Sequence, residues 1–596
     1  MKKIIFALLM ICGFVSCNLD ENPKSNVTKE PVFNSEDGLK LYTYSFYNIL
    51  PSASAATQMD NMCDYSVRTQ VPDFIREGAY SSQRSDIGWD WQDWQRLRNI
   101  NYFIGNCNSP SLPEAVKQNY IGIARFFRAY YYFDKVKRYG DVPWINKAME
   151  TEDPDLYSGR DSRTLVMDSV LSDLDYASKH IIMDTDPTSS LITKAVVYAF
   201  KSRVCLFEGT FRKYHTEYNL SSTADEWLKE SVDAANELMT NAKFKYTVYT
   251  ASGISKAYRE LFTSQKAIQS EVILASVCDK SQSVLNDANW WWTSSTYGSR
   301  ISLSRVFVNT YLNLDGTAFT GNPGYKTMVF SDEVKNRDKR LEQTIRTPGY
   351  QRIDGGVAVA APPIFSYTYT GYQPIKFCLD DVYYDSGSNN DNTIPLIRYA
   401  EVLLNYAEAK AELGTLTNSD WEKTVGALRA RAGITGGLNA KPTTIDAYFQ
   451  ASYFPEISDP TLLEIRRERS IELVFEGLRF PDIIRWNKGK LIEMDWNGFY
   501  VPAIEVPMDL NNDGILDVCF TYQDPVKDPI KGVTYVNVDP NKGGKVNPQQ
   551  LKNGTSGELT WLNNLPRKWN NKFYLYPVPE SAILMNPNLK PQNTGW

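Results

Sequence analysis

The sequence predicts a mainly α protein in which paired helices form the scaffold and a loop-rich region with short strands is set between them. Two observations carry this expectation. Long stretches on either side of the middle repeat apolar residues at the three-to-four-residue spacing of one helix face. Between 246 and 395 that spacing gives way to frequent Gly, Pro, Ser, Thr and Asn with short β-type runs.

Ser35 reads as an N-cap, followed by the acidic first turn Glu36 and Asp37 and then Leu39, Tyr42 and Phe46. Residues 93–107 place Trp94, Leu97, Ile100, Phe103 and Ile104 on one face. A long helix over 113–138 starts near Pro113 and stops before Gly140; its run Phe126 to Phe133 needs burial on more than one side. Helices over 161–180, 193–208 and 224–241 follow, the second capped by Thr193, with Ala195, Ala199 and Ser202 allowing close helix approach. Helices resume at 397–413, 419–432, 459–477 and 479–488, and 573–596 is extended and Pro-rich. Short loops between paired helices suggest hairpins of the tetratricopeptide kind, without that repeat's strict period. The alternation, with no evident linker, predicts one domain over 35–596, helical over 35–245 and 396–490 and loop-rich over 246–395 and 490–572.

Composition removes several functions. Of 596 residues only His180 and His215 are histidine, which argues against multi-His metal centres and most His-dependent nucleophilic catalysis. A net charge of −6 offers no basic surplus for a phosphate backbone, so no nucleic-acid partner is expected. The aromatic content of 13% is dominated by Tyr and Trp, which combine a flat apolar face with a polar edge. Cys63, Cys107, Cys205, Cys278, Cys378 and Cys519 are widely spaced with no CxxC, so no metal framework is read and disulfide pairing stays open. Cys205, in an apolar helical stretch, is expected to be a buried thiol.

The N-terminus combines Lys2 and Lys3 with an apolar run from Ile4 to Val15, a signal peptide over 1–16. Phe14-Val15-Ser16-Cys17 resembles a bacterial lipobox, with Phe14 in place of the usual Leu. The resemblance implies lipidation of Cys17 and a lipidated tether over 17–34. The following Asp20-Glu21 resembles the surface-export signal of Bacteroidetes lipoproteins, which implies an outer-membrane anchor facing the exterior.

Three segments resemble the SusD/RagB family of outer-membrane nutrient-binding lipoproteins: Pro395 to Gly414, Leu462 to Trp486, and Tyr574 to Trp596. Trp91 to Asn106 and Thr193 to Phe207 add weaker matches, and Pro481 departs from the family's usual aromatic or aliphatic residue. The resemblance implies a SusD-like fold and a non-enzymatic glycan receptor serving a SusC-like TonB-dependent transporter. A peptide receptor of the same fold and a surface glycoside hydrolase are the alternatives. Read from the residues alone, Glu464, Arg467, Glu468, Arg469 and Glu472 form ion pairs along a helix that Gly477 terminates. Arginine neighbours would hold those glutamates ionised, the wrong state for a general acid, so the motif is read as scaffold.

A glycan site needs exposed rings to stack on pyranose C–H faces and polar groups for the hydroxyls. Asn289-Trp290-Trp291-Trp292 with Tyr297 is the first candidate, since three consecutive Trp cannot all face one core. Trp89 and Trp91, ahead of a helix, are the second, with Asp60 and Asn61 as polar contacts. Tyr367, Tyr369 and Tyr372 form a weaker group. Asp509, Asn511, Asp513 and Asp517, with Gly514, match the first part of an EF-type loop, so calcium is an optional ligand although no cofactor is required. Phe520 stands where that loop needs its bidentate Glu.

Overall fold

The computed structural model describes residues 32–84 and 88–596. The signal segment, Cys17 and most of the expected tether lie outside the described residues.

Helix α1 (Glu36–Tyr44) starts where its cap dictates: the Ser35 hydroxyl accepts from Gly38 N at 3.1 Å. Helices α2 (Trp91–Asn106), α3 (Glu114–Tyr139), α4 (Arg163–His180), α5 (Lys194–Tyr214) and α6 (Ala224–Thr240) follow, α3 packing on α4 and α5 on α6. The aromatic run of α3 is buried on several sides: Phe126 and Phe133 meet Phe200 of α5, while Phe127 meets Tyr47. Gly140 ends α3 at φ 71°, where a Cβ would stand 2.9 Å from Leu575 of the C-terminal segment.

The loop-rich middle carries α7 (Ala288–Thr293), and α8 (Tyr399–Glu412), α9 (Pro460–Glu472) and α10 (Arg479–Arg485) complete the scaffold. The helix expected over 419–432 is three pieces, Asn418–Trp421, a π-helical Glu422–Gly426, and Ala427–Arg431, opened by a Thr417/Asp420 capping box. A short helix at Ala447–Tyr453, capped by Asp446, was not legible as a periodic run.

Helix α9 corrects two expectations. It stops at Glu472, and Gly477, at φ 78°, instead donates its N–H to Asp60 at 3.0 Å. Its charges pair mostly across elements, because nearly the whole helix is buried. Arg340 reaches Glu468 and Glu472, Arg429 reaches Glu464 and Glu468, and Arg398 and Arg431 reach Glu472. Only Arg467–Glu464 follows the predicted spacing along the helix.

The strands form small separate sheets. β1 (Ser66–Val67) pairs antiparallel with β3 (Ser302–Leu303), and β2 (Val272–Ser276) with β6 (Ile394–Arg398). β4 (Gln351–Asp354) and β5 (Val357–Ala360) make an exposed hairpin. β8 (Val518–Thr521) and β9 (Thr534–Asn537) pair in parallel, and β7 (Asn497–Val501), β10 (Gln549–Leu551) and β11 (Gly557–Trp561) share a sheet with β11 central. One hydrophobic core includes residues from Phe33 to Leu589. The six cysteines of the described residues are buried free thiols, Cys205 among them. No helix of the described residues is long and apolar enough to cross a membrane.

Candidate ring platform

The β1–β3 ladder brings the segment after Asp60 against the segment after the three tryptophans. Val67 stands opposite Ser302, and beyond the ladder Thr69 N and Oγ1 donate to Ser299 O at 3.0 and 2.8 Å. Successive residues on α7 turn by about 100°, so its tryptophans diverge. Trp292 turns inward between Phe377 and Phe475, at centroid distances of 6.1 and 4.9 Å. Trp290 and Trp291 stay half-buried at the surface. The chain then folds back and lays Tyr297 flat on Trp290, 3.8 Å between centroids and 15° between planes, with Trp291 edge-on at 5.8 Å.

Three contacts hold this fold-back. Tyr297 Oη donates to Asp287 at 2.7 Å, a bond that raises the Tyr297 pKa. Gly298 is needed sterically, since a Cβ there would lie 1.7 Å from Trp291 O. Arg300 donates from Nε and Nη2 to Ser295 O at 3.2 and 2.8 Å. Tyr297 is 41% exposed, so the stacked pair presents an outer face to solvent.

Four of the expected contacts are structural instead. Trp292 is enclosed as described. Trp89 is buried edge-on between Trp94 and Tyr139, at 5.3 and 4.7 Å, because the chain ahead of α2 tucks under that helix. Asn289 is fully buried: its Nδ2 donates to Leu379 O and Asp385, and its Oδ1 accepts from Leu379 N and Asn390. Asp60 is buried and accepts from Tyr65 Oη at 2.7 Å and Gly477 N; burial, opposed by these bonds, pushes its pKa up to about 6. Asn61 is half-buried, its backbone carbonyl accepting from Arg68 Nη1 at 2.8 Å.

A second ring pair adjoins the first. Tyr369 stacks on Trp561, 3.8 Å apart at 12°, and Tyr369 Oη donates to Thr69 Oγ1 at 3.3 Å. Trp561 Nε1 donates to Arg68 O at 2.7 Å. Of the other weaker candidates, Tyr372 is buried against Glu333 and Tyr367 is half-buried. Trp561, Arg68 and Arg300 carry no local signal, since Arg68 and Trp561 meet across 493 residues of chain.

Trp91 stands apart on the helical scaffold. It is 70% exposed in the first turn of α2, over an open groove walled by Tyr42, Asn48, Gln92, Gln95 and Asn99.

Buried polar atoms without a hydrogen-bond partner occur throughout the described residues, and those on the platform's two segments are Asp60 Oδ1, Asn61 Oδ1, Arg68 Nε, Asp287 Oδ1, Trp291 Nε1, Trp292 Nε1 and Ser299 Oγ. Such atoms are costly unless water or a ligand answers them.

The loop at Asp509 closes on its own backbone. Asp509 accepts from the N–H groups of Asn511, Asn512 and Gly514, Asp513 from Ile515, and Asp517 from Leu510. Among the described residues no group of three His, Cys, Asp or Glu side chains converges in a way that could hold a metal. Asp509, Asp513 and Asp517 thus each accept backbone hydrogen bonds from within the loop itself.

The fold is thus a hairpin-helix scaffold bearing a face of stacked rings. Comparison with known proteins gives the family: the model of the SusD family matches residues 270–596, and a model described as starch-binding, associating with the outer membrane, matches residues 18–206. The chain belongs to the SusD family. It is 24% identical to SusD-like protein P38 of Formosa agariphila over 85% of this chain and 95% of that protein. SusD-like protein P2 of the same organism is 25% identical over 82% and 91%. Among solved structures, a SusD-like protein from Bacteroides fragilis superposes with a TM-score of 0.68 at 21% identity, covering 95% of this chain and 98% of that one. A SusD-like carbohydrate-binding protein from the same species gives 0.66 at 20% identity, covering 94% and 100%.

Proposed function

We propose that this chain is a non-catalytic, lipid-anchored glycan-binding protein of the outer surface that delivers oligosaccharide to a SusC-like TonB-dependent transporter. The observation that carries the reading is the Trp290–Tyr297 pair, stacked and held by Asp287, Gly298 and Arg300 with its outer face in solvent. Sugar rings lie on that face and on Trp561, and Trp91 supplies a separate, weaker stacking point. Using aromatic pairs as a guide, each stack contributes about 0.5–1.5 kcal/mol beyond area burial.

Catalysis has little support. The scaffold glutamates are held by arginines, and Asp60, whose pKa burial pushes up to about 6, is only 2% exposed. The test is native affinity electrophoresis of the detergent-solubilised full chain through gels holding neutral and acidic polysaccharides, with reducing-sugar release assayed in parallel. Retardation without sugar release is expected. Sustained release would make the chain a hydrolase, and binding of peptides with no glycan retardation would make it a peptide receptor.

A further inference from the structure

Two guanidinium groups at the platform face no carboxylate. In the scaffold, arginines such as Arg340, Arg398 and Arg485 each meet one or more acids. Arg68 and Arg300 have no Asp or Glu oxygen within 4.0 Å among the described residues. Arg68 gives Nη1 to Asn61 O, while its Nε is buried without a partner. Burial lowers its pKa, with only Cys63 acting the other way. A guanidinium does not give up its proton near neutrality, so its desolvation is a standing cost that an anion would relieve.

Arg300 adds an independent sign. Its backbone is left-handed, φ 49°, a conformation that L side chains rarely adopt and that recurs at ligand clamps. That backbone holds the guanidinium 5.5 Å from the centre of the Tyr369 ring, with Nε and Nη2 on Ser295 O and Nη1 unengaged. Arg68 and Arg300 stand on neighbouring segments joined by the Thr69–Ser299 hydrogen bonds, beside both ring pairs.

We propose that the platform takes an anionic glycan, an oligosaccharide bearing carboxylate or sulfate groups, whose rings lie on Trp290–Tyr297 and Trp561 and whose acidic group is held by Arg300 with Arg68 beside it. The proposal rests on the glycan-binding reading. Planar guanidinium donors match the oxygens of a carboxylate or sulfate, and such charge-assisted bonds are about twice as strong as neutral ones. The chain's net charge of −6 gives no long-range attraction, so recognition is local to the two arginines.

The experiment uses the full chain in detergent and affinity gels in two sets. Polygalacturonate and alginate supply carboxylates, and chondroitin sulfate and carrageenan supply sulfates. Methyl-esterified polygalacturonate, laminarin and amylopectin are neutral. Retardation by at least one acidic polymer and none or less by the neutral ones is expected, and the retarding set identifies the anion. Arg300→Gln should weaken that binding about tenfold, as loss of a charge-assisted bond does. Arg300→Lys should restore part of it, Arg68→Gln should weaken it less, and the melting temperature should stay within about 2 °C. Retardation by neutral polymers alone overturns the anionic proposal and leaves the glycan reading standing. Acidic retardation that ignores all three substitutions also overturns it, as general ion exchange. No retardation in any gel counts against both.

Discussion

The molecule contains two buried polar regions that handle charge in opposite ways. Around α9 each buried carboxylate is met by arginine. Burial pushes Glu472 toward protonation, but Arg431, Arg398 and Arg340 override it and hold the carboxyl well below its usual range. Burial likewise raises Glu408, yet Arg485, at 2.6 Å, and its neighbours bring it down to about 2. In the segments of the ring platform Asp64 still meets Arg479, but Asp60 is driven up by burial, Arg68 is left without an acid, and Asp287 keeps an unbonded oxygen. Unbonded N–H groups also occur elsewhere: on Arg431, Arg466 and Arg467 the guanidinium still has its carboxylate, while Arg337, Arg346 and Arg567 are held by backbone carbonyls. Paired charge serves the fold, and on the anionic-glycan proposal the unpaired charge beside the exposed rings serves the ligand.

Breaking the scaffold side should have the largest effect. Glu472→Gln takes one buried carboxylate from Arg340, Arg398 and Arg431, which keep Glu468, Glu476 and Glu271 among their partners, and should cost about 3–5 kcal/mol, read by urea unfolding; a loss under about 1 kcal/mol would remove the lattice as a support. The same residues set an acid limit. Glu408 has its folded pKa depressed, so its stabilisation is present above the unfolded value near 4.5 and is lost as pH falls toward about 2.

Asp60 should behave in the reverse sense. Its folded pKa is raised, so the folded chain binds the extra proton and stability falls as pH rises from about 4 to about 6. Asp60→Asn should flatten that slope and leave stability at pH 7 unchanged or higher by about 1–3 kcal/mol. A steep loss instead would show that this acid is held like those of α9.

Smaller effects separate the rings. Trp290→Ala should weaken binding of the retarding glycan about tenfold with an unchanged melting temperature, measured by calorimetry. Trp91→Ala, on its own groove, should weaken it about two- to threefold. Equal losses at both positions would join the two surfaces into one site.

The scaffold was readable because its signals are local. The caps at Ser35 and Thr193, the stop at Gly140 and the one-face periodicities all act within a few turns of helix, and the helices begin where those residues put them. The end of α9 was misread because Gly477 takes a left-handed turn to reach Asp60, a contact 417 residues away in sequence. The site was half legible: consecutive tryptophans implied that some must leave the core, but nothing local distinguished Trp290 from Trp292.

What the sequence determined by itself is the helical scaffold, the family it belongs to and the presence of more rings than one core can hold. Tertiary structure alone decided which rings reach solvent and which charges go unpaired. Burial depends on neighbours supplied by distant chain: Phe377 and Phe475 enclose Trp292, Tyr139 encloses Trp89, and Trp561 meets Arg68 from 493 residues away. Helix period and capping are short-range properties, whereas desolvation and pairing are properties of the packed whole.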